Sequence, residues 1–177
     1  QGVDEVRVAL RASAPPEETP TAVYEEVKGR VGRSRRYTPK ELESLGWKSD
    51  PCLTWPIAGR ASTFYSHSYS ASNIIGPPRV FPSHEDRPGV WSSRLGDRGQ
   101  EWLQADFSLD SPATRAIRVF ETQNPGAIEE VTITDDDQTK IVVWRQPANP
   151  LPNRASALEI DIIPPRVIKS VHVQLDT

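Results

Sequence analysis

The sequence has 177 residues, of which 36% are hydrophobic and 25% charged, and its formal net charge is −3. These values are typical of one globular domain with room for a substantial extension, and they exclude a wholly disordered chain. A charge so close to zero predicts that neither nucleic acid nor an anionic membrane surface is the main partner. No apolar run approaches the ~20 residues of a membrane-spanning helix.

The single cysteine, Cys52, excludes an intramolecular disulfide and a multi-cysteine metal site. We interpret it as a small, semi-buried side chain. The 17 prolines outnumber the 10 glycines, which predicts rigid loops and few long helices. The sequence starts with Gln1 and contains no methionine, so we expect a mature product or an excised fragment. This permits a signal peptide upstream, and we expect a secreted or cell-envelope location.

Residues 1–57 are predicted to form an N-terminal extension. Apolar side chains alternate with others over residues 6–10, which is the period-two pattern of a short strand. Residues 14–20 hold three prolines and two glutamates and are predicted to be a linker. The four arginines within residues 30–36 indicate a solvated loop rather than a nucleic-acid site, because the rest of the chain is acidic. The extension either wraps over the domain or is disordered up to about Tyr37.

One helix is predicted at residues 39–45. Thr38 can cap its N-terminus, Pro39 suits the first helical position, and Glu41 completes a capping box. Gly46 then offers a left-handed C-terminal stop. So short a helix needs tertiary contacts to be stable. We expect it to dock through Leu42, Leu45 and Trp47.

Residues 58–177 are predicted to form an all-β domain, an antiparallel jelly-roll β-sandwich of about eight strands. The candidate strands are residues 53–57, 90–93, 101–107, 114–122, 128–133, 140–144, 158–162 and 171–175. The acidic residues 135–137 fall between two of them, and we interpret them as a solvated hairpin turn rather than a cation site. The strand–helix alternation of a parallel α/β sheet is missing.

Three segments of this region carry recognisable motifs. They read YSASNIIGPP at residues 69–78, VWSS at 90–93 followed by WLQADF at 102–107, and VFETQNPGAI at 119–128. In this order and spacing they resemble the galactose-binding-like, or discoidin (coagulation factor 5/8 type C), superfamily, and in particular a subgroup with an ETxNPGA-like segment. The resemblance covers residues 69–177. It implies a β-sandwich whose ligands bind on loops at one end.

The residues within these motifs also have a physical interpretation. Trp91 and Trp102 can each bury a large apolar area, and we expect both to lie between the two sheets. Pro125 and Gly126 suit a type II turn, because proline presets φ and glycine accepts a positive φ. Glu121 just before it is predicted to accept hydrogen bonds from turn amides, with Asn124 as a second structural residue.

Carbohydrate-binding members of this superfamily hold a structural calcium ion with loop carboxylates and carbonyls. Here the proline-rich residues 77–82 occupy the corresponding region, and Asp86 is the nearest carboxylate. Calcium needs six to eight oxygen ligands. We therefore expect no cofactor, with a structural calcium as the open alternative.

Residues for catalysis are hard to find in this sequence. It contains no GxSxG or HExxH motif and no phosphate-binding glycine-rich loop. The three histidines, His67, His84 and His172, lie far apart along the chain. His172 alternates with apolar neighbours on a predicted strand and is expected to face away from the core. Without a nucleophile, base or metal constellation, we predict that the protein is not an enzyme.

Binding has better candidates. Residues 64–69 are aromatic and polar, and residues 94–100 carry charges that can hydrogen-bond sugar hydroxyls or a partner's carboxylate. The predicted ligand-binding residues are Tyr65, His67, Tyr69, Arg94, Asp97 and Arg98. The alternative for the tyrosines is that they merely cover a sheet edge.

We predict a noncatalytic recognition domain for a carbohydrate or another extracellular ligand, as part of a larger protein. The second hypothesis is a protein–protein docking or assembly domain without a sugar ligand. The third is an architectural or enzyme-accessory domain that binds no ligand of its own.

Overall fold

The structure is a computed structural model that describes residues 6–12, 33–85, 87–94, 99–108, 110–123, 125–151 and 154–176. Ten strands within these ranges form two five-stranded antiparallel sheets, which confirms the predicted all-β sandwich. The strands are β1 Val6–Ala12, β2 Ser34–Tyr37, β3 Leu53–Thr54, β4 Ala58–Ala61, β5 Gln100–Asp106, β6 Thr114–Glu121, β7 Ile128–Asp135, β8 Lys140–Arg145, β9 Ser156–Arg166 and β10 Ile168–Asp176.

The first sheet has the strand order β2-β9-β6-β1-β3, and the second has the order β4-β5-β10-β7-β8. Residues 6–54 thus supply three of the five strands of the first sheet. β1 lies inside that sheet, between β6 and β3, because its alternating side chains fit the core on one face. The sequence-based division at residue 57 therefore does not coincide with a boundary of the sandwich. The alternative that the chain is disordered up to Tyr37 is wrong for residues 6–12, because they form β1.

Three sequence-based assignments need correction. The strand predicted at residues 53–57 is limited to β3, Leu53–Thr54. The arginine-rich residues 30–36 were expected to be a loop, but their last three residues belong to β2, which pairs with β9 at the sheet edge. Residues 90–93 were expected to be a strand, yet they form an irregular loop with buried side chains. This loop bonds to a neighbouring loop instead of to a ladder.

The helix is α1 Pro39–Ser44, and its predicted capping box between Thr38 and Glu41 is present. Leu42 is buried as predicted, but Leu45 is 59% exposed. The helix ends before Leu45, and Gly46 at φ +65° turns the chain so that Trp47 packs inward instead. Three short 3-10 helices complete the described secondary structure: Trp47–Ser49, His67–Tyr69 and Ala71–Ile74.

Two hydrophobic clusters hold the fold together. The larger one lies between the sheets and includes Trp91 and the inward residues of β1, β5, β7, β9 and β10. The smaller one lies on the outward face of the first sheet, where Trp47 and Phe81 pack on Phe120 with ring centroids 5.1–5.4 Å apart. We call this the covered face. Burial of these rings accounts for the docking of α1 onto the sheet.

The outward face of the second sheet differs, and we call it the open face. Its described side chains, such as Gln104, His172 and Val142, are half-buried or exposed, and neither hydrophobic cluster lies on it. Cys52 is half-buried, as predicted. None of the described helices is both long and apolar enough to cross a membrane.

Candidate ligand-binding site

Two loops meet at the end of the sandwich where β4 ends and β5 begins. The first, residues 62–70, follows β4, and the second, residues 89–94, precedes β5. The buried Trp91 anchors the second loop, and its indole Nε1 donates a hydrogen bond to the Thr63 carbonyl at 2.9 Å. The loops are therefore fixed to the core through a tryptophan whose polar atom is satisfied.

Main-chain hydrogen bonds fix the two loops to each other. The Tyr65 amide donates to the Ser92 carbonyl at 2.9 Å, and the Ser92 amide donates to the Tyr69 carbonyl at 3.2 Å. The side-chain amide of Asn73 donates to one carbonyl of each loop, at 2.6 and 2.8 Å. Such pairing holds the loop backbone in one conformation, which lowers the entropy that a ligand must overcome.

A buried carboxylate organises the base of both loops. Glu101 on β5 accepts hydrogen bonds from the hydroxyls of Ser62 and Thr63, the latter at 2.7 Å. The Thr63 hydroxyl oxygen also accepts a bond from the Arg94 amide at 3.0 Å. The sequence did not predict the roles of Ser62, Thr63 and Glu101. The one available signal was an acidic residue at an inward position of a strand that begins beside a serine- and threonine-containing loop.

The surface of the first loop is aromatic. Tyr65 is 63% exposed and Phe64 is 49% exposed, while Tyr69 is half-buried. The Tyr65 and Tyr69 rings meet edge to face, with centroids 5.8 Å apart and planes at 86°. His67 is exposed between them in sequence. A flat tyrosine ring with polar neighbours is the kind of surface that small ligands contact.

The structure brings four of the six predicted site residues to this pair of loops. Tyr65, His67 and Tyr69 lie on the first loop, and Arg94 lies on the second, exposed, with its backbone bonded to Thr63. Asp97 and Arg98 lie outside the described residues. That the tyrosines bind a ligand and do not merely cover a sheet edge stays a prediction.

Trp102 is not where the sequence predicted it. On β5 the alternation places Glu101, Leu103 and Ala105 inward, so Trp102 points to the open face. There it stacks on His172, with ring centroids 5.4 Å apart and planes at 26°. The outward position of His172 is confirmed. Burial beside the indole, followed by the nearby Lys140, lowers the pKa of His172, and Glu130 partly opposes this.

The Glu121 prediction is confirmed. This buried carboxylate accepts a hydrogen bond from the Gly126 amide at 2.7 Å, and Gly126 has the expected positive φ of +110°. Arg36 of β2 forms an ion pair with the same carboxylate. Burial raises the pKa of Glu121, and Arg36 offsets part of the increase. Asn124 lies outside the described residues.

The described residues contain few side chains that could bind a metal ion together. No cluster of three or more histidine, cysteine, aspartate or glutamate side chains occurs in that part of the chain. Asp86, the carboxylate nearest to the proline-rich residues 77–82, lies outside the described residues. The structural calcium ion therefore stays an open alternative. Asp136 and Asp137 form an exposed hairpin turn as expected, but Asp135 is buried and pairs with Arg166 at 3.1 Å.

No family model, no curated protein and no solved structure matches the chain. The resemblance to the galactose-binding-like superfamily therefore rests on the three motifs alone and stays a prediction.

Proposed function

We propose that this protein is a noncatalytic recognition module that binds a carbohydrate or another extracellular ligand through residues 62–70 and 89–94, as part of a larger protein. The observation that carries the proposal is the edge-to-face pair of exposed Tyr65 and half-buried Tyr69, on a loop whose backbone is hydrogen-bonded to its neighbour. Recognition concentrates on loops that a rigid scaffold positions, and this pair of loops fits that description.

The chemistry of the loops suits a sugar-like ligand. The apolar face of a pyranose ring can lie on a tyrosine ring, while fixed polar groups bond the hydroxyls. Here the ring is Tyr65, and the adjacent polar groups are His67 and Arg94, both exposed. The backbone is already ordered by hydrogen bonds to Ser92, so binding loses little further conformational entropy.

The proposal includes no chemical step. The sequence contains no nucleophile, general-base or metal-ligand motif from which a reaction could be derived. Glu101, the buried carboxylate beneath the loops, already accepts hydrogen bonds from two hydroxyls and has a positioning role. We therefore assign it to loop geometry and not to proton transfer.

A glycan array followed by isothermal titration tests the proposal. We expect a bound glycan whose affinity drops about tenfold or more in Tyr65→Ala, since an exposed aromatic anchor is lost. Ile163→Ala is the matched control, because Ile163 is equally exposed but lies on β9 in the other sheet. If no glycan binds at millimolar concentration and Tyr65→Ala changes nothing, the carbohydrate proposal is wrong.

Protein docking is the second candidate, and the exposed Phe64 beside Tyr65 favours it. Two adjacent exposed aromatic side chains are typical of protein contact surfaces. Light scattering coupled to size exclusion tests the simplest case, in which the partner is a second copy. We expect a dimer that Phe64→Ser abolishes, and a strictly monomeric protein at high concentration contradicts self-association.

A further inference from the structure

The open face carries an aromatic pair on the central strand β10 and its neighbour β5. Trp102 lies on β5 and His172 on β10, and their rings are stacked as described above. Both residues are half-buried, so part of each remains accessible to solvent. Aromatic side chains on a solvent-facing sheet add little to the hydrophobic core. They are instead available for contact with another molecule.

Amide side chains surround this pair and are held in place by hydrogen bonds. Gln174 donates to the side-chain oxygen of Gln100 at 3.2 Å, and Gln100 donates to Glu129 at 3.3 Å. Gln104 donates to Asp106 at 2.8 Å. Each amide keeps further donor and acceptor positions, because a glutamine has two N–H groups and two carbonyl lone pairs. These groups are positioned in advance for a hydroxyl-rich ligand.

An open groove of about 650 Å³ lies at the end of the open face where β5 begins. Its lining includes Gln100, Gln174, Glu129, Glu130, Arg145 and Gln146. The strand register places Gln174, a lining residue, directly opposite Trp102 on the neighbouring strand, so Trp102 is the next outward residue beyond the groove lining. A volume in the range of about 300–1,000 Å³ is typical of small-ligand sites. The groove fits a short oligomer better than a folded protein.

The arginine in the groove lining is paired. Arg145 bonds Glu130 with an Nε–Oε2 distance of 2.8 Å, and the second carboxylate of the lining, Glu129, accepts a hydrogen bond from Gln100. The Arg145 hydrogen bond lowers the pKa of Glu130, so this pair stays ionised at neutral pH. Because Arg145 is already neutralised by a carboxylate, the lining residues offer little attraction to a polyanion. This favours a neutral ligand over an anionic one.

We propose that the open face is a second binding site, distinct from the loops, for a neutral oligosaccharide that extends from the groove over Trp102 and is hydrogen-bonded by Gln100 and Gln174. The accessible part of the indole ring gives a contact for the apolar face of a sugar ring, and the amides bond its hydroxyls.

The test uses the whole chain and nuclear magnetic resonance titration of the tryptophan indole signals. The probes are neutral hexasaccharides of β-linked glucose, xylose and mannose, with a hexamer of galacturonic acid as the charged comparison. We expect at least one neutral probe to shift the Trp102 indole signal. Trp102→Ala should weaken its binding by about tenfold or more, and Gln174→Ala by a smaller factor.

Val142→Ala is the matched control, because Val142 is exposed on the same face but lies outside the groove lining. Tyr65→Ala should leave this binding unchanged, so the two proposed sites fail or succeed separately. If Trp102→Ala does not fold, Trp102→Phe and Gln100→Ala carry the test.

Three results would overturn the proposal. The first is that no neutral probe shifts the indole signal at millimolar concentration. The second is that a folded Trp102→Ala variant binds as tightly as the original protein. The third is that the galacturonic acid hexamer binds more tightly than every neutral probe, because the paired charges then do not select the ligand.

Discussion

The covered face and the open face both belong to five-stranded antiparallel sheets, but they differ in what packs against them. On the covered face, α1 and the Trp47 segment bury the outward ring of Phe120 on the central strand β6. On the open face, the outward side chains of β5 and β10 are only half-buried. One outward face thus contributes to stability, and the other is available for contacts with other molecules.

The strand sequences reflect this difference. All of β6 except Arg115 is buried, and even Arg118 lies beneath other groups and pairs with Glu159 at 3.0 Å. β5 alternates strictly between buried and half-buried residues after its exposed first residue. In a strand that is buried on both faces, nearly every residue is buried. In a strand with one solvent-facing side, buried and exposed residues alternate. We therefore expect mutations on the covered face to lower the free energy of unfolding more than mutations on the open face.

The largest difference is expected from aromatic truncation. Phe120→Ala should destabilise the fold by about 3–5 kcal/mol, because it leaves a cavity among Trp47, Trp55 and Phe81. Trp102→Ala, its counterpart on the open face, should cost about 1–2 kcal/mol, since the indole is already partly in water. Urea denaturation measures both free energies of unfolding. Equal losses would show that the open face is as much a part of the core as the covered one.

Ion pairs give the next comparison, one pair from each sheet. Arg36→Ala removes the partner of buried Glu121 and should cost about 3 kcal/mol at neutral pH. Arg145→Ala removes the exposed partner of Glu130 and should cost at most about 1 kcal/mol. The same denaturation experiment measures both. A double variant, Arg36→Ala with Glu121→Gln, should recover stability, because no unpaired charge then remains buried.

The Arg36→Ala loss should also depend on pH. Burial already raises the pKa of Glu121, and removing Arg36 raises it further. A raised folded-state pKa means that protonation favours the folded state, so stability is gained as the pH falls through the folded pKa and is complete below the unfolded value of about 4.3. The variant should therefore approach the original protein in stability at mildly acidic pH. A constant difference between them from neutral pH down to pH 4 would contradict this.

Much of the architecture could be predicted because it depends on local patterns. Period-two alternation located β5, β7, β9 and β10, and the capping box located α1. β2 and β4, four residues each, could not be predicted, because their pairing is set by partners distant in sequence. The same holds for residues 90–93, whose apolar side chains are buried by a loop partner and not by a strand neighbour.

The candidate site was predictable in part. Exposed aromatic residues in a short polar segment identified Tyr65 and Tyr69, since such residues are conspicuous in any sequence. The supporting residues Asn73 and Glu101 were not found, because their roles depend on contacts across 17 to 39 positions of the chain. The sequence-based position of Trp102 was wrong because tryptophan suits both a core and a binding surface. Which face it occupies depends on which residues of β5 point inward.

A mutation of the helix cap measures how much α1 contributes to the stability of the covered face. Thr38→Ala removes the hydroxyl that accepts the Glu41 amide bond and should destabilise the fold by about 1 kcal/mol. The helix is only six residues long, so the cap fixes a large share of its hydrogen bonds. Hydrogen exchange of the α1 amides should speed up, while the β10 amides should not change. Thr38→Ser keeps the hydroxyl and should match the original protein.

The smallest expected effect comes from His172 on the open face. Burial against Trp102 and the nearby Lys140 lower its pKa, so the folded state resists protonation. A lowered pKa for a base means that stability is unaffected well above the unfolded value of about 6.5 and declines as the pH falls below it. We expect a shallow decline, because the ring remains partly solvated and water screens its charge. A proton titration of the imidazole signals should give His172 a pKa below the ordinary histidine value of about 6.5. Trp102→Ala should return the pKa of His172 towards the ordinary value, and an unchanged pKa in that variant would show that the stack does not keep water from the ring.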